Sequence, residues 1–281
     1  MKLLAISGIV NPNILLNGIK IDLNIAITIT IPHKIFLPSL FSVNGDKIGI
    51  KQYINKKENA RLKEILEGKK IKEINIKLKK ENKKAVYITA YDYPFARLAD
   101  RANVDIILVG DSLGMTTLGY KTNLPVTMAD MVSHTAAVTR AVKNAFVIGD
   151  MPYMSYQTSD RDAVINAGRL MSEGGCEAVK CEGGKRVISR IRAIVDAGIP
   201  VQGHIGLTPQ NMSQQGGYKV QGKTEQEYKL LLEDALALQK AGAFSILLEA
   251  MPPSTAKRIK DKLKIPAYGI GAGDKVDGQL V

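Results

Sequence analysis

Residues 71–281 predict an α/β fold, a (β/α)8 TIM barrel, and three features carry that expectation. Short apolar runs alternate with amphipathic helical stretches from Val86 to the last residue. The runs are mostly apolar and do not alternate strictly with polar residues, and ionisable side chains recur at their C-terminal ends. Strands of that kind are buried on both faces, as in parallel sheets covered by helices. Strict βα alternation favours closing such a sheet into a barrel.

The elements follow in order. VYITAY (86–91) leads into a helix over 94–102, DIILVG (105–110) into one near 127–142, and AFVIGD (145–150) into 160–174. EAVKCE (177–182) then precedes 185–197, PVQGHIG (200–206) precedes 225–241, and FSILLEA (244–250) precedes 254–263. IPAYGIG (265–271) is the seventh run, and Gly278-Gln-Leu-Val281 reads as the start of an eighth. Residues 85–281 number 197, against about 250 for a typical barrel. A missing strand would leave an open edge and an exposed core. The expectation is therefore a barrel truncated at strand eight.

Composition changes near residue 70. Within 1–70, DLNIAITITIP (22–32) alternates apolar and polar residues with the period of a half-buried strand, and residues 56–68 carry a helical pattern ending at Gly68. This front segment is expected to be small, β-rich and basic, with no motif that can be attached to chemistry. The formal charge of +12 lies mostly at the front of the chain: residues 1–84 hold 17 Lys and Arg against 7 Asp and Glu, whereas 85–281 hold 22 against 20. The densest basic run, KKIKEINIKLKKENKK (69–84), crosses the boundary near residue 70 and has no interleaved aromatic residues to stack bases, so a solvated lysine-rich face is favoured over a nucleic-acid contact. No run of 18 apolar residues spans a membrane, and the N-terminus lacks the long apolar core of a secretory signal. Two cysteines, Cys176 and Cys181, make no disulfide framework and suit a reducing cytoplasm.

The strand ends carry the chemistry. The second run ends in Asp111-Ser112, the third in Asp150, the fourth in Lys180 and Glu182, the fifth in His204 and the sixth in Glu249. Any one acid at a strand end is most simply a helix cap. Six ionisable groups on the catalytic rim of a barrel are costly to bury together unless a metal ion or a substrate compensates them. Asp111, Asp150 and Glu182, with no cysteine ligand, describe a hard oxygen-rich site suited to Mg2+. A 2-oxo acid chelating that ion would have its carbonyl polarised towards an enolate. Lys180 is placed to neutralise substrate charge and Ser112 to bond a carboxylate. Glu249 is free to act as a general base, and His204 is a ligand, a proton shuttle or a positioner.

The motifs ITAYDYPFARLAD (88–100), VGDSLGMTTLGY (109–120), LPVTMADMVSHTAAV (124–138), GDMPYMSYQ (149–157), VKCEGG (179–184), GHIGLTPQ (203–210), GGYKVQG (216–222) and GIGAG (269–273) stand in this order along the chain. Together they resemble the 3-methyl-2-oxobutanoate hydroxymethyltransferase family, from about residue 75 to the end. The resemblance implies a barrel of the phosphoenolpyruvate/pyruvate superfamily, assembled as a homo-oligomer, commonly a decamer. It implies transfer of a hydroxymethyl group from 5,10-methylenetetrahydrofolate, or a methanopterin analogue, to 3-methyl-2-oxobutanoate on the route to pantothenate. By motif, Asp111 and Asp150 look like Mg2+ ligands, with Glu182 in the metal's shell. Ser112, Asp150 and Lys180 look like substrate-holding residues, His204 like a pocket residue, and Glu249 like the acceptor of the C3 proton. Residues 1–70 have no counterpart in that family.

Two other readings stand beside this one: a superfamily carbon–carbon lyase acting on 2-oxo acids, and a truncated, inactive barrel. Smaller features have plain explanations. GIGAG has the wrong spacing for a dinucleotide loop and reads as a strand-end turn. Cys181, between two inward-facing residues, should point towards the helices as a packed apolar group. His134 reads as a satisfied helix residue, and His33 is assigned no role.

Overall fold

The computed structural model describes residues 84–281 together with four two-residue strands nearer the N-terminus. The chain divides into two units, Met1–Lys70 and Ile71–Val281. In the first, Leu15–Leu16 pairs antiparallel with Ile19–Lys20, and Ser42–Val43 with Asp46–Lys47. The strand expected over 22–32, the helix over 56–68, His33 and all but the last residue of the basic run lie outside the described residues.

The second unit is a closed parallel barrel. Its strands are β1 (Ala85–Thr89), β2 (Ile106–Val109), β3 (Phe146–Asp150), β4 (Ala178–Glu182), β5 (Val201–Gly206), β6 (Ser245–Glu249), β7 (Ala267–Ile270) and β8 (Gly278–Leu280). Every residue of β2, β3, β4 and β5 is buried, as in a parallel sheet covered by helices. The helices are α1 (Tyr93–Arg101), α2 (Leu113–Thr116), α3 (Met128–Ala141), α4 (Asp160–Ser172), α5 (Ile188–Asp196), α6 (Met212–Gln215), α7 (Glu225–Lys240) and α8 (Pro253–Lys260). Their starts follow capping chemistry. Asp92 accepts the Phe95 N–H ahead of α1, and Ser159 accepts that of Asp162 ahead of α4. Thr127 with Asp130, and Thr224 with Glu227, form reciprocal capping boxes at α3 and α7.

The expected open edge is not found. β8 closes the ring: Gly278 and Gln279 pair with Tyr268 and Gly269 of β7, and Gly278, Gln279 and Leu280 pair with Ala85, Val86 and Tyr87 of β1. The Val281 carbonyl accepts the Thr89 N–H at 2.9 Å and extends the seam. Closure here depends on glycine, because a Cβ at Gly278 would stand 2.6 Å from the Ala85 carbonyl oxygen and 2.9 Å from Tyr268 Cδ1.

Alternation along each strand splits the apolar core in two. Tyr87, Ile106, Leu108, Phe146, Ile148, Ala178, Leu247 and Tyr268 form the inner cluster, whereas Ile107, Val109, Val147, Val179, Cys181 and Leu248 join the layer under the helices. Cys181 faces outward, as its place between Lys180 and Glu182 requires. One step further along the inner faces stand the polar residues Lys180, Glu182 and His204, so period two itself delivers them to one end of the barrel.

Candidate active site

The strand-end residues converge. Lys180 on β4 has Nζ 2.9 Å from Asp150 Oδ1, 3.8 Å from Glu182 Oε1 and 3.3 Å from His204 Nδ1. On its other side His204 Nε2 lies 3.0 Å from Glu249 Oε2. Asp111, just past β2, donates its backbone N–H to Asp150 Oδ2 at 3.1 Å. Asp111, Asp150, Lys180, Glu182 and His204 are all buried. The Glu249 side chain retains 19% exposure, at the edge of the cluster. Ser112 Oγ lies 2.9 Å from the Tyr91 hydroxyl.

The backbone aims Glu249 by a tight seam. Gly206 at the end of β5 has φ +97°, and a Cβ there would fall 2.2 Å from the Glu249 carbonyl oxygen. That carbonyl instead accepts the Leu207 N–H at 2.9 Å. Ala250 follows with φ +46°, in the left-handed region that non-glycine residues seldom adopt.

Charge in this cluster is out of balance. Three buried carboxylates face one ammonium and one imidazole. Burial, then repulsion from Asp150 and Glu182, raises the Asp111 carboxyl well above the usual carboxylate range. Asp150 is raised by burial, against the pull of Lys180. Glu182 is also penalised by burial, but His204 and Lys180 bring it below its ordinary value. Burial pulls Lys180 down, yet Asp150, Glu182 and Asp111 more than restore it, so the ammonium persists. Burial and the Lys180 charge work against a protonated His204, while Glu182 and Glu249 work for it and raise it to about 9.

The donors fit a hard divalent cation. Asp150 Oδ1 is buried without a directed hydrogen bond although Lys180 lies beside it, and every acidic donor is oxygen. Among the described residues, no three His, Cys, Asp or Glu side chains converge as a complete metal cage. Mg2+ does not require one, since it is commonly held by one or two carboxylates with waters and substrate oxygens completing the shell.

Sequence reasoning missed four residues that shape the site. Asn123 and Gln210 donate side-chain N–H groups to Asp111, Tyr156 receives the Glu182 backbone N–H at 2.9 Å, and Tyr91 holds Ser112. Gln210 and Tyr156 lie inside motifs already singled out, GHIGLTPQ and GDMPYMSYQ, which was the available signal. His134 does reach the neighbourhood, with Nδ1 2.6 Å from the Tyr91 carbonyl oxygen.

The sequence matches a family described as Ketopantoate hydroxymethyltransferase over residues 69–281. The chain belongs to that family. A 3-methyl-2-oxobutanoate hydroxymethyltransferase of Alkaliphilus metalliredigens (strain QYMF) is 57% identical over 206 residues, covering 73% of this chain and 73% of that protein. One of Geobacter sulfurreducens is 56% identical over 205 residues, covering 73% and 77%. As a member of the ketopantoate hydroxymethyltransferase family the chain is a transferase of pantothenate synthesis. Solved structures share the barrel at low identity. A phosphonopyruvate hydrolase in complex with oxalate and Mg2+ aligns with TM-score 0.59 at 13% identity over 75% of this chain and 78% of that one. A 2,3-dimethylmalate lyase of the PEP mutase/isocitrate lyase superfamily aligns with TM-score 0.57 at 17% identity over 75% and 77%. These likenesses establish the fold. Among the described residues no helix is long and apolar enough to cross a membrane.

Proposed function

We propose that this chain transfers a hydroxymethyl group from 5,10-methylenetetrahydrofolate, or a methanopterin-type donor, to 3-methyl-2-oxobutanoate, giving 2-dehydropantoate with Mg2+ as cofactor. The observation that carries this reading is the cluster itself: a partly exposed carboxylate, Glu249, at the edge of a buried acid–lysine–histidine group. Asp111 and Asp150 would hold the cation, with Glu182 in its outer shell, and the cation would polarise the 2-oxo group of the substrate. Lys180 and Ser112 bind the substrate's anionic end. Lys180 stays charged because Asp150 and Glu182 flank it. Glu249 accepts the C3 proton, and the electron pair left behind delocalises into the oxo group. His204 Nε2 lies 3.0 Å from the Glu249 carboxylate and stands beside it as a counter-charge. The nucleophilic C3 then bonds to the donor's one-carbon unit. Overall, oxo acid, donor and one water give the hydroxymethylated acid and the free carrier.

Support comes from the family membership and from the oxygen-rich, negatively biased site. The proposal includes a cytoplasmic, homo-oligomeric enzyme with small-molecule substrates. The front segment, 1–70, is proposed to be a separate basic appendage to the catalytic domain, 71–281. The deciding experiment incubates the purified full chain with 3-methyl-2-oxobutanoate, methylenetetrahydrofolate and Mg2+ and follows 2-dehydropantoate by mass spectrometry. Product that requires donor and Mg2+ supports the reading. Cleavage of 2-oxo or 2-methyl acids without any one-carbon donor would replace it with the lyase reading.

A further inference from the structure

Gln210 uses both ends of its side-chain amide and its backbone N–H. It lies in the loop after β5, and its Nε2 donates to Asp111 Oδ2 at 2.9 Å and to the Met151 carbonyl at 2.8 Å. Its Oε1 accepts from Gln157 Nε2 at 2.9 Å and lies 3.0 Å from the Tyr156 hydroxyl. Its backbone N–H donates to Glu182 Oε2 at 3.0 Å. The partners fix the amide's orientation: reversed, its oxygen would face a carboxylate and a carbonyl. A second amide completes the arrangement, because Asn123 Nδ2 donates to the same Asp111 Oδ2 at 2.7 Å. Both amides are buried, Gln210 at 4% exposure and Asn123 at 1%. Two N–H donors thus converge on one oxygen of Asp111 and leave the other, Oδ1, uncommitted to either. One residue, Gln210, also sets a second acid, Glu182, from its main chain.

We propose that Gln210 and Asn123 are positioning residues that immobilise Asp111 Oδ2 and thereby present Asp111 Oδ1 to a divalent cation, Gln210 tying Glu182 to the same frame. The inference rests on the reading of Asp111 as a cation ligand. Hydrogen-bond partners behind metal-binding carboxylates typically tune affinity or activity by about 10–100-fold. The probe is Mn2+, titrated into the full chain without substrate and followed by electron paramagnetic resonance of the free ion. Gln210→Ala and Asn123→Ala are each expected to raise the Mn2+ Kd about 10–100-fold while still melting cooperatively. Their transferase activity, lost at low Mg2+, is expected to return at high Mg2+, which a merely disordered site would not allow. Gln210→Met keeps length and apolar bulk and serves if the alanine variant does not fold. Asn123→Ala probes the same oxygen without touching Gln210. Cooperatively folded variants that bind Mn2+ with the parental Kd would overturn the proposal. A parent chain that binds no Mn2+ would instead overturn the Mg2+ reading beneath it.

Discussion

Replacing Lys180 by methionine removes the central positive charge of the cluster while keeping an unbranched side chain of similar bulk. Lys180 Nζ stands 2.9 Å from Asp150 and 3.8 Å from Glu182. At an effective dielectric constant near 20, these separations correspond to attractions of about 6 and about 4 kcal/mol. Desolvation of the ammonium offsets much of that in the parent. In the variant the acids relieve their repulsion by taking up a proton. Measured losses on breaking a buried pair from one side are about 3–5 kcal/mol, which for a unit of this size lowers Tm by roughly 6–20 °C. The sign with pH follows from the same exchange. Without Lys180, Asp150 binds its proton more tightly folded than unfolded, so the variant loses stability as pH rises. Thermal melts in EDTA at pH 8 and pH 5, followed by circular dichroism, should show a deficit that is largest at pH 8 and narrows at pH 5. A variant melting within about 2–4 °C of the parent at pH 8, equivalent to about 1 kcal/mol, would refute the ion-pair account. So would a deficit independent of pH.

Two further outcomes follow from the fold. Gly278→Ala forces a Cβ to within 2.6 Å of the Ala85 carbonyl oxygen at the closing seam; overpacking of this kind costs about 1–3 kcal/mol, and a thermal melt matching the parent would mean the seam has slack. Asp100 accepts the backbone N–H groups of Lys143 at 3.1 Å and of Asn144 and Ala145 at 2.8 Å. Burial works against its charged form, but these donors prevail and hold its carboxyl below the ordinary value. Its contribution is therefore complete above the unfolded value of about 4 and is lost as pH falls through the lower folded value. Asp100→Asn should cost about 1–3 kcal/mol in urea melts at pH 7 and less at pH 3. An equal cost at both would show that its charge is irrelevant.

Much of the barrel was legible because periodicity is a local property. AFVIGD, EAVKCE and PVQGHIG are short, mostly apolar runs, and each becomes a strand within a residue at either end. The acids were legible for a related reason: where a buried strand ends at the catalytic rim, a polar residue has few other places to be. The open edge is expected from a count of residues, which says nothing of how closely two backbones approach where glycine lets them meet, as at Gly278. Gln210 and Asn123 were missed for a different reason. They are neutral amides in loops without periodicity, and Gln210 meets Asp111 across 99 positions of chain. Their importance exists only once the barrel has brought those loops together.

The account's central claim is that Glu249 removes the C3 proton of a 2-oxo acid held over the acid cluster. Proton NMR of 3-methyl-2-oxobutanoate in D2O, with Mg2+ and the full chain but no one-carbon donor, reads that step alone. The parent should exchange the C3 hydrogen for deuterium, and Glu249→Gln should slow exchange by about 100- to 10,000-fold, the usual contribution of a positioned general base. Exchange at the parental rate in a folded Glu249→Gln chain would contradict the claim.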